Sequence, residues 1–508
     1  MKPSVGFSKP NGKQHVLINE FNGSNPYFNP NQKKEYIMSF ANAVKAHLNT
    51  PTVARTDNGM KAHANTGDAV LDLFTNIGTA RGKDITHLFT AALAENTDLT
   101  LRTLLYARDI RGGSGERQTF RNLLSKLEAQ DSVLASKLMH KIPELGRWDD
   151  MFTYTGENRL AAFRMIRKAL VEDQNGLAAK WMPRKGAVAV ELTKFLGLSP
   201  KAYRKLVVGL TQVVETQMCS KNWNEINFSH VPSVASARYQ KAFGRNAKES
   251  YSAYLAELQK PEAERTVKVK INAGAVFPYD VVKSTATGNA AVADEQWKAL
   301  PNYIGDAKIF PMIDVSSSMG YFSNCQQMQP IDLAVSLGLY VSEKGTSAFK
   351  DMFVTFDSNP KIVQVKGKLT ERLNQVAKSP WGGSTNLAAA FDLILNIALK
   401  GNVAEADMPE VMVIFSDMQF DPYHGFDATA RQMITDKYNR AGYNLPRVVF
   451  WNLRADAGNT PVKFSDAGVA MVSGYSPATI KAVLSNDLDD FTPYNVMLKT
   501  VMDDRYAY

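Results

Sequence analysis

Residues 308–320 read KIFPMIDVSSSMG, and this stretch decides the fold of the C-terminal part of the chain. An apolar run ends in an aspartate followed by a cluster of serines. Such a short run, bounded by polar turn residues, is the pattern of a strand buried on both faces of a parallel sheet. The same pattern returns in MFVTFD (352–357), EVMVIFSD (410–417) and RVVFWNL (447–453). Helical spacing fills the intervals: IDLAVSLGLYVSEKG (331–345), TNLAAAFDLILNIALK (385–400) and ATARQMITDKYNRA (428–441). KIVQV (361–365) follows so closely on the second strand that it fits an antiparallel partner at the sheet edge. The alternation predicts a doubly wound α/β domain over 305–508. Pro311 lacks a ladder donor and is expected near the beginning of its strand.

Upstream the pattern changes. From about 33 to 265, within a helical module placed at 33–285, apolar residues recur at three- and four-residue spacing with little strand signal, as in ITHLFTAALAENTDLTLRTLLYARDI (85–110) and NRLAAFRMIRKALVED (158–173). In the latter Leu160, Phe163, Ile166 and Leu170 form one stripe, and Arg159, Arg164, Arg167 and Lys168 fall largely off it. Many short helices with brief polar connections predict an all-α, HEAT-like stack of helix pairs, although no strict repeat period is visible. TVKVKINAGAVFPYDVV (266–282) reads as a short strand and turn. STATGNAAVADEQ (284–296) reads as a loop, and the linker between the halves is placed at 286–304. Residues 1–32 form an N-terminal extension. The chain is thus multidomain.

Composition sets the partners. With 44% hydrophobic residues the chain buries sizeable cores, and no run is long enough for a membrane-spanning helix. The start lacks the apolar segment of a secretory signal, and two cysteines form no disulfide framework, so a reducing, cytoplasmic setting is expected. The net charge of +9 is uneven. Residues 1–300 carry 41 Lys+Arg against 28 Asp+Glu, or +13; residues 301–508 carry 18 against 22, or −4. The helical half therefore suits an anionic partner, though a basic face is also an ordinary solvated surface.

In open α/β sheets ligands sit beyond the carboxyl ends of the strands. Asp314, Ser316 and Ser318 alternate there after the first strand. Thr385 follows the paired glycines Gly382-Gly383, and Asp417 ends the EVMVIFSD strand after Ser416. Each fragment alone is a common turn or helix cap. Together they offer only hard oxygen donors with few charges, a set suited to one Mg²⁺, or Mn²⁺ or Ca²⁺, with water or an outside carboxylate or phosphate completing the shell.

This constellation resembles the metal-ion-dependent adhesion site of von Willebrand factor A domains, whose pattern is Asp-x-Ser-x-Ser, a loop Thr and a strand-terminal Asp. The resemblance implies that Asp314, Ser316, Ser318 and Thr385 touch the metal, that Asp417 acts through water, and that the ion grips an acidic group of a partner. A helical half followed by such a domain is similar to the Ro ribonucleoproteins, whose helical part is the TROVE module. LRTLLYARDIRGGSGER (101–117), AKWMP (179–183) and VPSVASARYQKAF (231–243) carry this resemblance, and RDIRGGSGER (108–117) and VPSVASARYQKAF look closest to a divergent TROVE-like branch of phages, plants and fungi. The resemblance implies a ring that the A-type domain closes. Small structured RNAs would bind its basic outer surface, and single-stranded 3′ ends of misfolded RNAs would enter its hole.

The residues that would carry RNA binding are Arg108, Arg111 and Arg117 around the Gly-rich turn, then Arg159, Arg164, Arg167 and Lys168, then Lys180, Arg184 and Lys185 beside Trp181. Lys201, Arg204, Lys205, Lys221, Arg238, Lys241 and Arg245 continue the series, with Trp223 and Tyr239 as stacking candidates. Such cations neutralise phosphates largely without reading sequence. The blander readings are that Arg111 and Arg117 tie helices together through Asp109 and Glu116, and that the tryptophans are core. No P-loop, zinc spacing or nucleophile elbow is present, and His424 beside Asp421 reads as a loop residue, so no catalysis is expected. The alternatives are an assembly factor whose metal binds a partner carboxylate without RNA and, more remotely, a metal-dependent nuclease.

Overall fold

A computed structural model describes residues 40–508 apart from 82, 288–289, 324, 379–380, 424–426, 456–457 and 485–490. The N-terminal extension and His424 lie outside the described residues. After the helix Phe40–Leu48 comes a short antiparallel hairpin, β1 (Val53–Arg55) and β2 (Lys61–His63), with Ala54 opposite Ala62. Asn58-Gly59 turns it: Gly59 takes φ +100° and its N–H donates to the Thr56 carbonyl at 2.9 Å. From Ala69 to Lys298 all regular elements are helical.

The α/β part is a six-stranded sheet ordered β5-β4-β3-β6-β7-β8. Its strands are β3 (Ile309–Asp314), β4 (Met352–Phe356), β5 (Lys361–Gln364), β6 (Val411–Ser416), β7 (Arg447–Asn452) and β8 (Val469–Ser473). All pairings are parallel except β4 with β5, the edge hairpin the sequence predicts. Both faces are apolar. Ile309, Ile313, Phe415 and Trp451 join one core; Phe310, Met312, Ile414 and Phe450 join the other. Pro311 is not at the start of β3 but third in it, paired with Val413. The strand tolerates it because β4 pairs only from Met312 onward.

The first core runs without a break into the helical half, through Leu101, Phe163 and Trp297. The helix Ala69–Ile77 lies against β8 and the helix Pro493–Val501. Asn452 Nδ2 donates to the Thr75 carbonyl at 3.1 Å and the Ser473 hydroxyl to that of Phe74 at 3.1 Å. At the other end the helices Pro278–Thr287 and Ala290–Lys298 pack on Pro330–Lys344 and Leu369–Ala377. Trp297 Nε1 donates to Glu343 there at 2.6 Å. The helical half therefore docks on the sheet domain at both of its ends.

Two readings need correction. The stretch 286–304 is not a linker loop, because Ala290–Lys298 is a helix that buries Val292, Ala293, Gln296 and Trp297. Residues 266–276 form no strand. Side chains hold them instead: Tyr254 donates to the Lys270 carbonyl at 2.9 Å, and Asn272 Nδ2 to the carbonyls of Ser229 and Val231.

Candidate metal centre and basic surface

Asp314 ends β3 fully buried, and the chain folds straight back onto it: Ser316 N donates to its Oδ1 at 2.9 Å. From the end of β6 the Ser416 hydroxyl donates to Asp314 Oδ2 at 2.5 Å. Ser316 and Ser318 share a hydroxyl contact of 3.1 Å, with Ser318 facing solvent. The Ser317 hydroxyl reaches the Gly383 carbonyl at 3.3 Å and so ties this loop to the one carrying Thr385. That loop passes so close to Asp357 that a Cβ on Gly382 would lie 2.4 Å from its Oδ2. Thr385 is buried; its N–H donates to Asp421 Oδ2 at 2.9 Å, and Asn386 caps the helix Leu387–Lys400.

Asp417 follows β6, fully buried, and Met418 after it takes a left-handed φ of +67°, a strained conformation of the kind that collects at functional sites. Among the described residues Asp417 Oδ2 has no hydrogen-bond partner, and Arg454 Nη1 at 3.7 Å is too far to supply one. Burial and the charge of Asp417 push the Asp314 carboxyl up to about 7. Asp417 is raised as well, by burial, against the opposing pull of Gln419 N, Ser318 and Arg454. Asp314, Ser316, Ser318 and Asp417 stand at the ends of β3 and β6, and Thr385 lies on the adjoining loop that Ser317 and Asn58 tie to them. Two buried carboxylates and an orphaned carboxylate oxygen among hydroxyls form an arrangement a divalent cation would neutralise, so the donors present fit one. Among the described residues no group of three or more His, Cys, Asp or Glu side chains is placed to hold a metal, and this centre has only two such acids.

Sequence reasoning missed what covers the centre. The tip of the β1–β2 hairpin lies on it. The Thr56 hydroxyl donates to the Phe420 carbonyl at 2.7 Å and Asp57 N to Gln419 Oε1 at 2.6 Å. Asn58 Nδ2 donates both to Thr385 Oγ1 at 3.2 Å and to the Gln419 carbonyl at 2.7 Å. The Asn-Gly pair was a readable turn signal, but nothing local pointed to a partner some 360 residues on.

The candidate cations separate by burial. Arg108 is buried, its guanidinium 2.7 Å from Asp150, so it holds the fold and leaves the exposed set. Arg111 and Arg117 are exposed. Their guanidinium groups do not pair with Asp109 and Glu116, whose ion-pair partners are Arg505 and Arg81. The Gly-rich turn itself is structural: Gly113 has no room for a Cβ, which would meet the Tyr106 carbonyl oxygen at 1.9 Å. Arg159 is half-buried and spent on the Tyr154 and Phe152 carbonyls and Glu191. Lys180 is half-buried, 3.6 Å from Glu215, and Trp181 is covered by the Arg147 guanidinium at 3.8 Å. Lys168 lies 3.7 Å from Asp173.

Arg164, Arg167, Lys185, Lys201, Arg204, Lys205, Lys221, Arg238, Lys241 and Arg245 are exposed, and none makes an ion pair among the described residues. Arg238, Lys241 and Arg245 fall on one face of the helix Ser233–Asn246. Between the helices Ala187–Phe195 and Pro200–Leu210 lies a pocket of about 290 Å³, floored by Ala189, Leu198 and Val207 and rimmed by Arg184, Lys185, Lys194 and Arg204. Among the described residues no helix is long and apolar enough to cross a membrane.

Residues 309–504 match a family described as a domain of unknown function (DUF7788), and residues 56–130 and 199–307 match a second (DUF2828). The chain is 27% identical to the uncharacterized protein L728 of Acanthamoeba polyphaga mimivirus, over 87% of this chain and 86% of that one. Among solved structures it is similar to the RO (RSR) protein of Deinococcus radiodurans, at 13% identity and a TM-score of 0.38, covering 85% of this chain and 93% of that chain.

Proposed function

We propose that this protein is a cytoplasmic, non-catalytic RNA-binding protein of the Ro-like kind. Its helical half and A-type domain together form a ring, and exposed cations on successive helices capture structured or misfolded RNA. The observation that carries the reading is the set of unpaired cations on three helices, at Arg164/Arg167, Lys201/Arg204/Lys205 and Arg238/Lys241/Arg245. Cations left without carboxylate partners are free to displace counterions from phosphates, the main source of sequence-independent affinity. The docking of the helical half at both ends supports a closed arrangement. In the same reading Asp314, Ser316, Ser318, Thr385 and Asp417 hold one divalent cation, which supplies positive charge for a carboxylate.

The test is RNA binding measured across a salt series. Reversal of Arg164, Arg167 and Lys168 to glutamate should weaken binding of single-stranded RNA. The log–log salt slope should fall by about 2, at roughly 0.7 for each phosphate no longer neutralised. Unchanged affinity at low salt overturns the reading. Divalent-dependent cleavage of the RNA, abolished by Asp314→Ala, would replace it with the nuclease.

A further inference from the structure

We propose that the Asp57 carboxylate is this chain's own ligand for the divalent cation, so that the ion pins the β1–β2 hairpin of the helical half onto the sheet domain. The inference rests on the metal-centre part of the reading above and adds an occupant to it. The five-residue centre has hydroxyls and two carboxylates, and leaves part of the shell of a six-coordinate ion to another oxygen. An adhesion-type centre would take that oxygen from a partner. Here the tip of a hairpin already occupies the approach.

The placement is specific. Asp57 lies between two residues fastened to the rim of the centre: Thr56 to the Phe420 carbonyl and Asn58 to the Thr385 hydroxyl itself. Its own N–H is held by Gln419, two residues beyond Asp417. The backbone is thereby fixed on both sides, and the Asp57 side chain makes no hydrogen bond or ion pair among the described residues. Its negative charge acts on the Asp417 carboxyl, whose buried Oδ2 has no hydrogen-bond partner among the described residues. Asp57 is itself exposed, and holding its charge near the buried Asp417 carboxyl is unfavourable unless a cation stands between them. A ligand tethered in this way also acts at a high effective concentration, which a free carboxylate would have to exceed.

This arrangement predicts opposite signs in the presence and absence of metal. In chelator, Asp57→Asn removes a repelling charge, so its melting temperature should equal or exceed that of the parent. In millimolar Mg²⁺ or Mn²⁺ the parent should gain stability, since a ligand that binds only the folded state stabilises it, and the variant should lose most of that gain. Mn²⁺ binding, followed by the loss of the free-ion electron paramagnetic resonance signal on the full chain, should weaken at least tenfold in Asp57→Asn. It should be unaffected in Asp98→Asn, an exposed carboxylate of another element. Amide exchange of residues 53–63 should slow on adding Mn²⁺ in the parent only.

If Mn²⁺ binds the parent and Asp57→Asn equally, while Asp314→Ala abolishes binding, the internal ligand is refuted and the metal centre stands. If the parent binds no Mn²⁺, both fall.

Discussion

Removal of the Arg505 side chain should cost this protein about 2–4 kcal/mol of stability. Asp109, just past the helix Thr97–Arg108, is fully buried and accepts Arg505 Nη2 at 2.9 Å, Arg505 Nε and the Tyr506 hydroxyl at 3.1 Å. Burial works against its charge, but Arg505 and the N–H groups of Arg111 and Gly112 prevail and hold its carboxyl below the usual range. Taking one partner from a buried pair costs roughly 3–5 kcal/mol, because the remaining charge is left uncompensated. Arg505 is part-exposed, and the Tyr506 hydroxyl and Arg111 N–H remain on Asp109, which lowers the expected cost of Arg505→Ala. Tyr506→Phe should cost only about 1 kcal/mol, one hydrogen bond of the same cluster.

The assay is the urea midpoint of unfolding at several pH values. A depressed carboxylate stabilises above its unfolded value near 3.8, and the benefit is lost as pH falls through its folded value. The gap between parent and Arg505→Ala should therefore be full at pH 7 and shrink below pH 4. It should change little in 0.5 M salt, since a buried pair is weakly screened. A penalty under about 0.5 kcal/mol, or one equally large at pH 3, would refute the reasoning.

Three other outcomes follow from the same structure. Gly113→Ala sets a Cβ against the Tyr106 carbonyl and should cost about 3 kcal/mol or more. Gly209→Ala, with nothing within 4 Å of the new Cβ, should be neutral or gain about 0.5 kcal/mol; chemical denaturation compares the two. Burial raises the Asp72 carboxyl to about 6, so the cost of its charge is absent below about pH 4 and complete above pH 6. Asp72→Asn, which keeps the acceptor for Thr66 N, should therefore raise the melting temperature at pH 8 and leave it nearly unchanged at pH 4. Arg108→Ala should destabilise by about 3–5 kcal/mol yet leave the salt slope of RNA binding unaltered, which separates it from Arg164, Arg167 and Lys168.

What was legible in the sequence was local. The runs ending at Asp314 and Ser416 announced strands because burial on both faces writes itself into consecutive residues. That Asp314 and Asp417 lie near each other was legible because a parallel sheet brings successive strand ends to one edge. Arg108 was misread although the signal was present: Leu101, Leu104, Leu105 and Arg108 share one helical stripe, and that stripe is buried. Arg164 and Arg167, off their own stripe, stayed on the surface. The segment 290–298 misled by its small residues, which suit a loop, yet alanine is also the strongest helix former and Trp297 anchors the turn. The hairpin over the centre was illegible for another reason. Its contacts with Gln419 and Phe420 are tertiary, and nothing in TDNG names their partner.

The partnership of Asp109 with Arg505 also bears on how the chain is made. Their separation of 396 residues means that Asp109 waits for its counter-charge until almost all of the described chain has been synthesised. At roughly 5–20 residues per second that interval is about 20–80 s. Through it the helix end at Arg108 would have to bury a carboxylate with no guanidinium to meet it. The early helices are therefore complete in sequence well before the ion pair that closes this cluster can form.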